Sequence, residues 1–156
     1  INNIGIGMAD QWRLTADTNS GTNDVISTNW ERNDNASYES IGTGMTESSG
    51  VFTFPSTGKY LVLEFWNMIV SSGDNAQIQA SITTDNSSYI LATSFITTAA
   101  GGAQFMSASN QSLVDVTNTS NVKIRWGTAS FASGTHIQGN TALNTSSVSF
   151  LRIGDT

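Results

Sequence analysis

The chain has 156 residues and contains no cysteine, which excludes disulfides, thiolate metal sites and a cysteine nucleophile. Six lysines and arginines against twelve aspartates and glutamates give a formal net charge of −6, and no basic run occurs. Binding to nucleic acid or to an anionic membrane surface is therefore not expected, and no apolar run is long enough to cross a bilayer. The length predicts one domain that can bury a sizeable core.

Ten short strand signals follow one another along the chain, separated by clusters of Gly, Asn, Ser and Thr. The first of them alternates, with Trp12 and Leu14 on one face and Gln11 and Arg13 on the other. No segment has a helical period. This spacing predicts an all-β antiparallel sandwich or barrel. The predicted strands are residues 10–16, 26–32, 51–54, 59–70, 76–83, 89–96, 104–108, 112–116, 122–126 and 148–153.

The predicted strand at residues 59–70 is unusual because both of its faces are apolar. Successive strand residues point to opposite faces, and a sandwich core covers only one face of each strand. The closing strand at residues 148–153 repeats this pattern. Large exposed apolar patches usually mark interfaces, so a second copy of the chain is expected to cover the remaining faces. The two parities are Leu61, Leu63, Phe65 and Ile69 against Tyr60, Val62, Trp66, Met68 and Val70.

Several segments resemble a known superfamily. The stretch Gly50–Tyr60, GVFTFPSTGKY, resembles the F-x-x-P-x-x-G-x-Y segment of the complement globular head and tumour necrosis factor superfamily, and Ser149–Ile153 resembles its closing apolar strand. A wider set, from Ala9–Leu14 through Gly44–Gly50 to Arg152–Thr156, resembles the C-terminal modules of virion structural proteins in marine bacteriophages. This wider resemblance covers most of the chain.

The resemblance implies a ten-stranded jelly roll at residues 9–156, preceded by a connecting segment at residues 1–8, that forms a tight homotrimer. In the family, one face of the long strand lines the threefold axis, and the other face contributes to the core. Tyr60, Val62 and Trp66 are then expected in the core. The implied trimer-interface residues are Leu61, Leu63 and Phe65, with Leu151 and Ile153 from the closing strand.

Two features of the sequence qualify what the family pattern implies. Glu64 lies on the implied core parity, so either it pairs with a cation such as Arg125 or the two faces are inverted. Many complement-type heads bind calcium. This sequence has no dense carboxylate cluster, and Asp74 and Asp85 fall in separate predicted turns. We therefore expect no metal and no cofactor.

The sequence gives weak signals for catalysis. His136 is the only histidine and lies in a predicted loop, and a Ser–His–acid triad would depend on it. No nucleophile-elbow pattern surrounds any serine, and the spacing of the four glutamates selects no pair for glycoside hydrolysis. We expect no catalytic residue.

Three aromatic residues are weak candidates for contact with a ligand such as a host-surface glycan: Trp30, Tyr38 and Tyr89. Trp30 stands beside charged residues, and the two tyrosines stand near turns. The other three tryptophans alternate with apolar residues and are expected to pack in the core.

These observations predict a non-enzymatic structural or adhesion module at the surface of a phage particle. The trimeric knob would be a tail-fibre or receptor-binding tip, or a capsid decoration or head-fibre protein. Its expected partners are further copies of itself and other virion proteins, with a host glycan as a further candidate. The main alternative is a monomeric carbohydrate-binding module of a larger extracellular protein, in which the chain itself covers the second face of the long strand. A hydrolase and a secreted soluble ligand are further alternatives.

Overall fold

The computed structural model describes residues 5–36 and 38–156. Within these residues the chain forms eleven β-strands, and none of its segments is a helix that could span a membrane. The strands are β1 (Met8–Leu14), β2 (Trp30–Arg32), β3 (Thr46–Ser48), β4 (Val51–Thr53), β5 (Gly58–Val70), β6 (Asn75–Thr83), β7 (Tyr89–Thr98), β8 (Gln104–Val116), β9 (Lys123–Ala129), β10 (His136–Ile137) and β11 (Ser147–Gly154).

The strands form two antiparallel sheets that pack face to face. In sheet A the order is β2–β1–β11–β5–β8, and in sheet B it is β3–β4–β9–β6–β7. The long strand β5 pairs with β8 along its whole length, so β11 and the short β10 share its other edge. The all-β antiparallel sandwich predicted from the sequence is therefore confirmed.

The number of strands differs from the prediction for two reasons. The predicted strands at 104–108 and 112–116 are one strand, because residues 109–111 keep the alternation and stay paired with β5. The strands β3 and β10 were missed because three and two residues are too few for a periodic signal. The described residues thus contain eleven strands rather than ten. The predicted connecting segment falls partly on residues 1–4, outside the described residues, and β1 begins at Met8.

The core between the sheets is centred on an aromatic cluster. Phe52 contacts the rings of Trp12, Trp30, Trp126 and Phe150 at centroid distances of 5.0 to 5.5 Å. Most of these pairs meet edge to face, the geometry that the ring quadrupoles favour. As predicted, β5 sends one parity of its side chains into this core. Its buried side chains are Tyr60, Val62, Glu64, Trp66, Met68 and Val70.

Neither explanation offered by the sequence for Glu64 is correct. The faces of β5 are not inverted, because Glu64 is buried among core residues. Arg125 does not pair with it. The Arg125 guanidinium lies 3.7 Å from the centroid of the Tyr89 ring instead. Neighbouring residues of a strand face opposite ways, and Trp126 is the one that enters the core, so Arg125 points away from Glu64.

The turn between β4 and β5 depends on Gly58, as the proline–glycine motif predicted. Gly58 has a φ of +144°, which side chains rarely adopt. A Cβ atom at this position would overlap the Arg152 guanidinium nitrogen Nε and lie 2.7 Å from the carbonyl oxygen of Gly154. The glycine therefore permits close contact between the start of β5 and the end of β11.

Gly58→Ala is expected to lower the free energy of unfolding by about 1–3 kcal/mol, because the side chain forces a strained backbone. Chemical denaturation followed by tryptophan fluorescence measures this change. Gly101→Ala is the matched control, since nothing lies within 4 Å of a Cβ atom there. Equal effects at the two positions would contradict the role assigned to Gly58.

Candidate association surface

The outer face of sheet A, opposite the core, carries an apolar row near one end. The antiparallel register places Leu113 of β8, Leu61 of β5, Leu151 of β11 and Ala9 of β1 side by side. Leu113 is 74% exposed, and Leu61 and Leu151 are half-buried. Ile153 is exposed beyond this row on β11. Four neighbouring strands thus present a continuous apolar band to solvent.

The middle of the same face is mixed. Leu63 and Phe65 are exposed there, and the side chains on either side of them are small or neutral polar groups. Together they line a shallow cleft of about 620 Å³. Two of the polar side chains bond each other, since Gln11 Nε2 donates to Ser149 Oγ over 2.9 Å. The flanking polar residues are Gln11, Ser109, Gln111, Ser147 and Ser149.

At the other end of the face, Phe105 and His136 flank Ile69 in register. Phe105 is 78% exposed, the most exposed large apolar side chain among the described residues. The His136 ring is held by its own surroundings: Nδ1 lies 3.0 Å from the Gly134 carbonyl oxygen, and Nε2 lies 3.4 Å from an Asp17 carboxylate oxygen. This geometry positions the imidazole beside Ile69, and in the described part of the chain no serine hydroxyl bonds the His136 ring.

A second uncovered surface lies where the two sheets end side by side. Within the described residues β7 pairs only with β6, and β8 pairs only with β5. We call these two edge strands the β7–β8 rim. Its inward-facing side chains, such as Phe95 and Met106, are half-buried, whereas their partners Ile78 and Met68 are fully buried. The sandwich is therefore open along this rim.

The β7–β8 rim lacks most of the features that usually protect edge strands, although the register of β7 shifts once, between Leu91 and Thr93. Neither strand contains a lysine or a proline, and β7 has no charged residue at all. Exposed edge strands without such residues tend to pair or pack with another chain. Three exposed large apolar side chains of β7 add to this surface: Ile90, Leu91 and Ile96.

The two ends of the sandwich differ in what they present. Met8 pairs with Arg152, and residues 5–7 and 152–155 line one cleft. The first and last described residues of the domain therefore lie at the same end of the sandwich. The opposite end is formed by residues 15–24, 71–74, 99–103 and 130–135, which we call the distal loops.

Hydrogen bonds tie the distal loops into one layer. The buried carboxylate of Asp74 accepts from the Ala132 amide over 3.0 Å and from the Thr135 hydroxyl. Asn23 Oδ1 accepts from the Phe131 amide over 2.6 Å, and the Gly21 amide donates to the Thr135 carbonyl over 3.0 Å. The layer is therefore a fixed polar surface built from short side chains.

Comparisons with known proteins agree with this architecture. The structure of Eiger TNF from S. frugiperda matches with a TM-score of 0.75 and 11% identity, over 97% of this chain and 96% of that one. The fold is a TNF-like jelly roll. Murine APRIL at pH 5.0 matches with a TM-score of 0.67 and 10% identity, over 93% of this chain and 98% of that one. No family model and no curated protein matches the sequence.

The jelly roll places the predicted interface residues on one surface. Leu61, Leu63, Phe65 and Leu151 all belong to the outer face of sheet A, and Ile153 adjoins it. Their role in a trimer stays a prediction. The sequence analysis missed Leu113 and Phe105 on β8, and it missed the whole β7–β8 rim. The alternation of β8 carries a signal for the first two, because both lie on its outer parity.

The three candidate ligand residues do not form one site. Trp30 is half-buried and packs edge to face against Phe52 at 5.0 Å, and its Nε1 donates to the Ile26 carbonyl over 2.7 Å, so its role in ligand contact stays a prediction. The Tyr89 ring is occupied by Arg125 on sheet B. Tyr38 is exposed, but it lies on the loop after β2, beside sheet A.

That the domain binds no metal stays a prediction from the sequence. In the part of the chain that is described, no group of three histidine, aspartate or glutamate side chains is close enough to hold an ion. Asp74 lies among the distal loops, and Asp85 lies in the turn between β6 and β7 at the other end, where its carboxylate accepts the Ser87 and Ser88 amides. This position of Asp85 matches the separate turns expected from the sequence.

Proposed function

We propose that this domain is a non-enzymatic virion module that assembles into a homotrimer through the outer face of sheet A and the β7–β8 rim. It would serve as a tail-fibre or receptor-binding tip, or as a capsid decoration or head-fibre protein. The observation that carries the proposal is the exposed apolar row of Leu113, Leu61 and Leu151, which no described part of the chain covers. The monomeric binding-module alternative expected the chain itself to cover this face.

The two uncovered surfaces favour a cyclic assembly over a symmetric dimer. The outer face is a broad sheet surface, and the rim is a narrow open edge, so they differ in shape and can complement each other. A contact between two different surfaces repeats around a ring when the rotation closes. A ring of three is what the family resemblance implies. Each fully buried Leu or Phe would contribute about 1.5–3 kcal/mol before the entropy lost on association.

The distal loops are the surface that we assign to host contact. A domain attached to a particle through either of its ends would present them outward, because both ends lie at the opposite side. Their serine, threonine and asparagine side chains offer neutral donors and acceptors that suit the hydroxyl groups of glycans. Three copies in register would add weak contacts by multivalency.

The native mass tests the assembly. Light scattering on a sizing column is expected to give three times the 16.6 kDa chain mass across a dilution series. Leu63→Glu and Leu113→Glu are expected to yield folded monomers, because each introduces a charge into the buried face. Leu143→Glu is the matched control, since the exposure of Leu143, 63%, lies between that of Leu63 at 37% and Leu113 at 74%, and the residue belongs to the loop between β10 and β11. A wild-type chain that is monomeric at every concentration would refute the proposal and favour the binding-module alternative.

A further inference from the structure

The most unusual group in the core is the carboxyl of Glu64. The residue is 4% exposed and points from β5 toward sheet B. Its Oε2 accepts from Trp66 Nε1 over 3.2 Å, and its Oε1 accepts from the Thr93 hydroxyl over 3.3 Å. A third donor, the Trp126 indole N–H, lies near the carboxyl but makes no hydrogen bond of good geometry. A buried carboxyl is thus surrounded by neutral donors.

Among the described residues, no charged side chain faces Glu64 from any strand packed against it. The facing residues are Trp66 of β5, Asn110 of β8, Val148 of β11, Thr93 of β7 and Trp126 of β9. None of the ion pairs in the described part of the chain includes Glu64. Burial raises the pKa of Glu64, and the neighbouring donors of Trp66, Trp126 and Thr93 offset this only in part.

The carboxyl lies directly behind the β7–β8 rim. Its partner Thr93 belongs to the edge strand of sheet B, and its neighbour Asn110 belongs to the edge strand of sheet A. Both residues are half-buried, and the hydroxyl of Ser112, on the same parity of β8, is buried without a partner. Thr93 and Asn110 thus lie between the Glu64 carboxyl and the open rim, so a neighbour that covers the rim also seals the carboxyl.

We propose that Glu64 makes assembly of this domain proton-linked: covering the β7–β8 rim favours the neutral carboxyl, so association takes up protons and is strongest under mildly acidic conditions. The inference rests on the assembly proposed above and adds its regulation. Desolvation disfavours the charged form of a carboxyl, so the pKa of Glu64 is higher in the assembly than in the free chain. Linkage then requires protonation to strengthen association by the same factor.

The direction in which pH changes the dissociation constant follows from this order of the two pKa values. Below the pKa of Glu64 in the free chain, both states carry the neutral carboxyl and association does not depend on pH. Above that value the free chain ionises first, so the dissociation constant rises with pH by up to about tenfold per unit for each carboxyl that changes state. Acidification from neutral pH therefore favours the assembly.

Sedimentation of the full chain between about pH 5 and about pH 8 tests the link, because this window lies above the ordinary pKa of a glutamate. The wild-type dissociation constant is expected to rise at least about tenfold across the window. Glu64→Gln is expected to abolish the pH dependence and keep the tight, low-pH affinity. Glu39→Gln, which changes an exposed glutamate on the loop after β2, should leave the pH dependence intact.

His136 requires its own control because it lies on the outer face of sheet A. Positive charges carried by several copies on one face repel one another, so a charge at this residue would act on association with the sign opposite to that expected of Glu64. His136→Gln should therefore leave the expected pH dependence in place. Loss of the dependence in His136→Gln, or its survival in Glu64→Gln, would overturn the assignment to Glu64.

A measurement on the wild-type chain covers the case in which Glu64→Gln does not fold. Calorimetric dilution in buffers of different ionisation enthalpy reports protons exchanged on dissociation, and net proton release is expected near neutral pH. Assembly with no proton exchange would overturn the link alone and leave the proposed trimer standing. A chain that stays monomeric at every pH would overturn both.

Discussion

Arg13→Ala is expected to lower the free energy of unfolding by about 2–5 kcal/mol, because it empties the space of a fully buried side chain and leaves the half-buried Glu31 without its partner. The Arg13 side chain is 1% exposed and bridges Glu31 over 2.9 Å and Asp34 over 2.7 Å. Its Nη1 also donates to Asn33 Oδ1 over 3.2 Å. The guanidinium therefore holds β1, β2 and the loop after β2 together.

Denaturant unfolding followed by tryptophan fluorescence measures this loss. Arg152→Ala is the control, because its ion pair with Asp155 is exposed and such pairs contribute at most about 1 kcal/mol. Adding Glu31→Gln to Arg13→Ala should recover part of the stability, since it removes an uncompensated charge. If the double variant is no more stable than the single one, the loss comes from packing rather than from charge.

Much of the fold could be predicted from the sequence because strand alternation is a local signal. Trp12 and Leu14, the core parity of β5 and the turn at Gly58 all follow from residues that are neighbours in the chain. The apolar second face of β5 is a local signal too, and it led to the association surface. These features needed no knowledge of which strands are adjacent.

Other features depend on the order of strands in the sheets, which alternation does not encode. Arg13 lies on the parity that the sequence assigned to polar side chains, yet the loop after β2 covers it. Trp30 stands between charged and polar residues but packs on Phe52, because β2 closes the edge of sheet A over the core. The β7–β8 rim became visible only once β7 and β8 were known to be edge strands of the two different sheets.

Glu64 combines a feature that the local pattern predicts with one that it does not. The parity of Glu64 on β5 predicted that its side chain points into the core. A partner cation was one of the two explanations offered, because buried charges are usually paired. The structure supplies neutral donors instead, which favour the ionised carboxyl, and burial outweighs them in raising the pKa of Glu64. No local pattern distinguishes these cases, since Trp126 and Thr93 approach from the opposite sheet.

Phe52→Ala is expected to lower the free energy of unfolding by about 3–5 kcal/mol, the usual range for removing a fully buried aromatic ring. Phe52 is 0% exposed, and its ring contacts four others that come from both sheets. Removal leaves a cavity at the point where the two sheets meet, and large neighbouring rings collapse into it poorly. Equilibrium denaturation in the Leu113→Glu background measures the effect without a contribution from association.

Phe105→Ala in the same background is the matched control, because it removes the same side chain from an exposed position on β8. Its effect on the unfolding of the monomer should stay within about 0.5 kcal/mol. In the wild-type background Phe105→Ala is expected to have a larger effect, because Phe105 lies on the proposed association face and its loss should weaken assembly. A Phe105→Ala chain that loses monomer stability but assembles normally would show that this ring supports the fold rather than the interface.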